Sequence, residues 1–145
     1  MAAALREVIS TSAAPAAIGA YSQAIRAAGV LYCSGQIGLD PATMEFVKGE
    51  SCDDPAAQRT ADLKAQTRRV LQNMGAVLEA GGSNYQNVVK ATVLLSEGED
   101  FQTVNSVYAE FFPADKAPPA RAAYAAKWLP KGALVEIECT ALVVN

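Results

Sequence analysis

Hydrophobic and polar positions change period along this chain in a way that separates strands from helices. Leu5 to Ile9 is compatible with a short strand, and the small, Pro-containing run from Ser10 to Gly19 reads as an irregular loop. Tyr21 to Ala27 and Val30 to Gln36 flank Ala28-Gly29, which predicts a hairpin with Gly supplying the unusual backbone angle. Its second strand, Val30 to Gly35, is apolar on both faces and so belongs inside a sheet. After the turn signal Asp40 to Thr43, Met44 to Gly49 is a candidate edge strand. Asp54-Pro55 offers a cap and a first-turn proline. From Leu63 the residues Val70, Leu71, Met74, Val77 and Leu78 then recur at helical spacing until Gly81-Gly82. Asn87 to Leu95 is β-branched and strand-like, and Asp100 caps a second helix with the stripe Phe101, Val104, Asn105, Tyr108, Phe111 and Phe112. Arg121 to Leu129 and Ala133 to Val144 alternate again around the turn Leu129 to Gly132, which predicts a closing hairpin.

Hairpin, helix, strand, helix, hairpin is an α+β order, with both helices on one face of a mixed sheet. The other face then needs cover, because Val135, Ile137, Cys139, Ala141 and Val143, or the residues alternating with them, are too apolar for water. A second copy of the chain is the simplest cover.

Several residues depart from the pattern. Arg121 stands among small residues and shares a strand face with Ala123 and Ala125, leaving room for a small anion such as a carboxylate beside its fork of donors. Snorkelling to solvent, or pairing with a local acid, is the plainer alternative. Glu136 and Glu138 share a face with Thr140 in an otherwise apolar strand. If Leu129 pairs with Gly132, Arg121 joins that face, and a one-residue slip sends it to the other. Asn105 interrupts an apolar stripe, where it either bonds a neighbouring backbone or meets a ligand. Gly35 ends its strand, or marks a bulge or a place where a ligand or another chain approaches the backbone closely. Tyr21 sits beside the irregular loop, a position where a phenol commonly packs with its hydroxyl at the rim.

Composition narrows the chemistry. The 145 residues are one domain by size, and 51% hydrophobic with 19% charged residues excludes disorder. No apolar run reaches membrane-spanning length. A net charge of -3 argues against a nucleic-acid surface. Without any His, a His-based triad, imidazole-held zinc or an imidazole base is excluded. Cys33, Cys52 and Cys139 share no metal or disulfide spacing and fit a reducing compartment. Met1 to Arg6 is too short for a signal or transit peptide, which leaves the cytoplasm as the expected location, or an organelle if a leader has been removed.

Separated motifs in a fixed order carry a resemblance. They are Ala14 to Ala24, Ser34-Gly35-Gln36-Ile37, Phe101-Gln102-Thr103-Val104-Asn105, Pro119 to Tyr124, Leu129 to Gly132, and Val135-Glu136-Ile137-Glu138. From about Val8 to its end the chain resembles the RidA (YjgF) family of reactive-intermediate deaminases. The resemblance implies a chorismate-mutase-like α+β fold and a homotrimer with sheets inside, helices outside and ligand sites in the clefts between subunits. It also implies hydrolysis of 2-imino (enamine) acids, such as 2-iminobutanoate and 2-iminopropanoate, to 2-keto acids and ammonia, with no cofactor and no metal.

By the same resemblance Arg121 clamps the substrate carboxylate and Glu136 is the acid associated with the attacking water. Gly35 and Asn105 match binding positions, and Tyr21 would reach a neighbouring subunit's site. Ala123 stands where some bacterial members have Cys. Glu50 to Thr60 is longer than usual for the family, as an extended loop before the first helix would be. A non-catalytic trimer that binds small carboxylates, and a chaperone or translation-inhibiting ribonuclease, are the alternative roles that the family has carried.

Overall fold

The computed structural model describes residues 5–144; of the N-terminal stretch read for a leader, Met1 to Ala4 lie outside the described residues. Six strands, β1 (Glu7–Ile9), β2 (Ala24–Ala27), β3 (Val30–Ile37), β4 (Val88–Ser96), β5 (Ala120–Ala126) and β6 (Val135–Leu142), form one sheet in the order β1-β2-β3-β6-β4-β5. Two helices, α1 (Pro55–Ala80) and α2 (Phe101–Phe111), pack together on one face of it. The fold is the expected α+β, chorismate-mutase-like arrangement of two helices on a mixed sheet.

Local chemistry sets the boundaries. The Asp54 carboxylate accepts from Ala57 N at 3.0 Å to start α1, and Gly81 and Gly82 stop it, their N–H groups returning to Val77, Leu78 and Glu79 carbonyls. Asp100 caps α2 by accepting from Gln102 N and Thr103 Oγ1. Between β2 and β3, Ala28 (φ 50°) and Gly29 (φ 77°) are both left-handed, the pair of angles that a tight hairpin with native twist requires. Glu50 to Asp54 precede α1, whereas Pro55 to Thr60 are its first turns, so only half of the long segment before Leu63 is loop. Among the described residues no helix is long and apolar enough to cross a membrane.

Three sequence expectations change. The closing hairpin does not exist: β5 pairs with β4 in parallel, and β6 lies between β3 and β4. β6 alternates buried apolar residues along its whole length and gains two antiparallel partners in the interior. β5 follows β4 through α2, and that connection favours the parallel edge position. Residues 127–134 then cross over, with Leu129 and Ala133 buried at either end of a short 3-10 turn at Pro130–Gly132. Met44 to Gly49 contributes only a bridge between Leu39 and Phe46, because α1 ties this region down. Asn73 Nδ2 donates to the Ile37 and Leu39 carbonyls, and Gly49 N donates to Asp62.

Third, Tyr21 lies before its strand, not in it. Gln23, buried, turns its amide back on the preceding loop: Nε2 donates to the carbonyls of Thr11, Ala14 and Pro15, and Oε1 accepts from Thr11 N at 2.7 Å. Satisfying those backbone groups with one side chain replaces strand pairing over this stretch.

Val135, Ile137, Cys139 and Ala141 turn toward the helices and are buried with Leu31, Ala91 and Val93. The alternating partners Glu136, Glu138, Thr140 and Leu142 take the open face with Tyr32, Lys90, Thr92 and Tyr124. That face is therefore mixed, with Tyr32, Tyr124 and Leu142 exposed among polar groups. A small second cluster of Ile37, Leu39, Leu129 and Ala133 closes one end of it.

Candidate active site in two halves

Arg121 owes its direction to register. It lies across from Ala91 of β4, which lies across from Cys139 of β6, and both are buried beneath the helices. Arg121 therefore projects to the helix side at the exposed edge of the sheet. Its Nη1 donates to Asn105 Oδ1 at 2.8 Å. The guanidinium carbon lies 5.3 Å from the Phe101 ring centroid and 4.8 Å from that of Tyr108. Phe101, Asn105 and Tyr108 fall at i, i+4 and i+7 on one face of α2, so a single helical stripe meets the cation. Asn105 thus bonds a side chain, not the neighbouring backbone that was one of its two sequence alternatives. Ala123 and Ala125 follow on the same strand face, exposed, and leave the space beside the fork clear. Among the described residues Arg121 makes no salt bridge.

Glu136 is placed by its pairing with Ile37 on the opposite face of the sheet, with β4 between its strand and that of Arg121. The β3 register shifts between Cys33 and Gln36, a bulge that contains Ser34 and Gly35. A Cβ on Gly35 would run into Glu136 Oε1 and stand 2.9 Å from its Cδ, so within the chain the group that crowds this glycine is a carboxylate, not the ligand or second chain considered from the sequence. Ile18, Tyr21, Ser34, Gly35, Ile37, Pro130 and Glu136 line a cleft of about 360 Å³. Ile18 N donates to the Tyr21 hydroxyl at 3.1 Å, and Ser34 Oγ donates to the Ser22 carbonyl at 2.5 Å, which fixes the loop against β3.

Partial burial pushes the Glu136 carboxyl above the ordinary carboxylate range, and the neighbouring Glu138 charge adds to it. With its folded pKa above its unfolded value, the folded state holds more protons in the interval between the two. Stability is then full below the unfolded pKa and falls as pH rises through the folded one. Glu136→Gln is expected to melt higher than the parent at neutral pH, with the difference closing below about pH 4, the ordinary Glu range. Paired melting curves at the two pH values check this, and an equal difference at both would contradict it.

One chain thus brings Arg121 to Asn105, with Ala123 alongside, and brings Tyr21, Gly35 and Glu136 together, but holds the two groups on opposite sheet faces. Gln23, Ser34, Phe101 and Tyr108 escaped the sequence reading. Phe101 and Tyr108 were already in the helical stripe with Asn105, but only the parallel β4–β5 register shows what that stripe faces. Among the described residues no cluster of Cys, Asp and Glu is arranged to hold a metal ion.

The fold is a chorismate-mutase-like α+β domain with an exposed edge arginine on one sheet face and a carboxylate-lined cleft on the other. Residues 11–143 match the family described as Endoribonuclease L-PSP. The chain is 44% identical over 142 residues to the 2-iminobutanoate/2-iminopropanoate deaminase of Rattus norvegicus, covering 98% of this chain and 93% of that one. It is 47% identical over 136 residues to Reactive Intermediate Deaminase A, chloroplastic, of Arabidopsis thaliana, covering 94% of this chain and 65% of the length of that relative. A Rid-family protein of unknown function from Yersinia pestis has a solved structure with a TM-score of 0.82 at 40% identity, covering 95% of this chain and 99% of that one. The chain belongs to the endoribonuclease L-PSP (YjgF/RidA) family.

Proposed function

We propose that the protein hydrolyses small 2-imino acids, 2-iminobutanoate and 2-iminopropanoate among them, to 2-keto acids and ammonia, in a homotrimer whose sites join one half from each of two chains. The observation that carries this is Arg121, an exposed guanidinium held by an amide oxygen and two rings, with no ion-pair partner among the described residues. A carboxylate suits its free donors. The name of the rat relative supports the imine substrate, and that of the Arabidopsis relative supports deamination of a reactive intermediate.

In this mechanism Arg121 holds the carboxylate and orients the C=N carbon, while the neighbour's Glu136 takes a proton from water as its oxygen bonds to that carbon. The iminium nitrogen receives the C=N electron pair and the tetrahedral adduct forms. Glu136 returns the proton to nitrogen, the C–N bond breaks as ammonia leaves with its electron pair, and the hydroxyl becomes the keto oxygen as its proton passes to the Glu136 carboxylate and on to solvent. Burial that raises the Glu136 pKa makes it a better base than an ordinary carboxylate. Tyr21 and Gly35 shape the cleft wall around the acid, Asn105 steadies the clamp, and Ala123 leaves it room.

No metal or cofactor enters this scheme, and the free thiols of Cys33, Cys52 and Cys139 suit a reducing compartment, cytoplasmic or organellar. The family description as an endoribonuclease draws less support, since the net charge is -3 and the chain has no His to act as acid and base in phosphodiester cleavage. To test the deaminase reading, 2-iminobutanoate is generated with a threonine dehydratase and trapped with semicarbazide. The protein is expected to divert imine from the trap to 2-ketobutanoate. No diversion, with 2-ketobutanoate still bound through Arg121, would leave a carboxylate-binding trimer instead.

A further inference from the structure

We propose that Tyr108 and Phe101 are positioning residues that hold the Arg121 fork in register for a carboxylate, an inference that rests on the reading of Arg121 as the carboxylate clamp. The arrangement is a cradle. Asn105 Oδ1 fixes one nitrogen of the guanidinium, and the two rings, 4.8 and 5.3 Å from its carbon, restrict how the plane can turn about that bond. All three come from one face of α2, so the cradle moves with the helix as a unit. A long side chain on an edge strand beside small residues would otherwise sample many rotamers, and a ligand would have to freeze them on binding.

Tyr108 has a further property. It is only 4% exposed, and its hydroxyl is buried with no hydrogen-bond partner of good geometry among the described residues, while burial raises the phenol pKa and the Arg121 cation beside it offsets part of that rise. Its ring face meets the guanidinium carbon at 4.8 Å from the centroid, and Tyr108→Phe separates that contact from anything the hydroxyl contributes beside the same cation. The ring is itself fixed by Phe112, 4.8 Å away centroid to centroid. Phe101, 39% exposed, lies where the cradle opens to solvent, so its contact with the cation is the weaker of the two.

Calorimetric titration of the full chain with 2-ketobutanoate reads the clamp without requiring turnover, and steady-state imine kinetics add the KM-against-kcat split. Tyr108→Phe keeps the ring and is expected to bind within about twofold of the parent. Tyr108→Leu is expected to weaken binding by about tenfold, and the more exposed Phe101→Leu by about threefold, the range for a desolvated and an exposed cation–π contact. Both losses should appear in KM with kcat largely kept. Should Tyr108→Leu fail to fold, Phe101→Leu and Tyr108→Phe decide the matter alone. Parent-like binding by folded Tyr108→Leu, or by Phe101→Leu, would overturn the cradle, as would a Tyr108→Phe variant impaired as badly as Tyr108→Leu, which would make the hydroxyl, not the ring face, the part that acts. Arg121→Ala separates the two readings: unchanged binding there removes the clamp itself, whereas loss there with parent-like ring variants removes only the cradle.

Discussion

Arg121→Ala and Glu136→Gln chains, each inactive alone, are expected to recover about a quarter of parental activity when unfolded together and refolded as a one-to-one mixture. The figure follows from geometry. Arg121 and Glu136 project from opposite faces of the sheet, so one chain cannot close both around a single small acid. If each site takes its clamp from one chain and its cleft from the next, a mixed trimer works at a site only when the clamp half comes from the Glu136→Gln chain and the cleft half from the Arg121→Ala chain. Random assembly makes each choice correct half of the time, so about one site in four is whole. Sites built within one chain would give no recovery at any ratio. Arg121→Ala alone should lose roughly 10- to 150-fold in carboxylate binding, the range for about 1.5–3 kcal/mol in a charged hydrogen-bonded contact. Light scattering should give a mass near three times the 15.2 kDa chain. A monomer would remove the basis of the experiment and of the shared site together.

Much of this was legible in the chain, and what was not has a definite physical origin. Caps and glycines are local signals, so Asp54-Pro55 and Gly81-Gly82 bounded α1, and Asp100 opened α2, where sequence chemistry put them. Arg121 was legible as an anomaly because its neighbours are all small. Its facing was not, because facing is set by pairing across 30 residues, from Ala91 to Arg121, and no local pattern reports a parallel partner. The turn signal at Leu129 to Gly132 was genuine: Lys131 and Gly132 both take positive φ. It turned the chain across β4 instead of back along β5, and sequence periodicity does not distinguish these outcomes. Gln23 shows the converse error, in which strand propensity from Tyr21 onward is overridden by a buried amide that satisfies the loop before it.

The bulge at Ser34 and Gly35 gives the second large effect. Gly35→Ala is expected to cut kcat by at least about 100-fold, the lower end of what general acid–base catalysis supplies, while lowering stability by only about 1 kcal/mol, the mild end of overpacking. The asymmetry comes from what the new methyl would meet: Oε1, Cδ and Cγ of Glu136, the last at 3.0 Å, all in one flexible side chain. Glu136 can swing away at little cost to the fold, but not without leaving the cleft that it shares with Tyr21 and Ser34. Additivity then becomes the decisive measurement, because the two positions act through one carboxylate. In a Glu136→Gln background, where the base is already gone, Gly35→Ala should cost little further activity. Full, independent losses in the double variant would mean that Gly35 serves the site through its own backbone, and parent-like turnover in the single variant would mean that Glu136 does not need its present position.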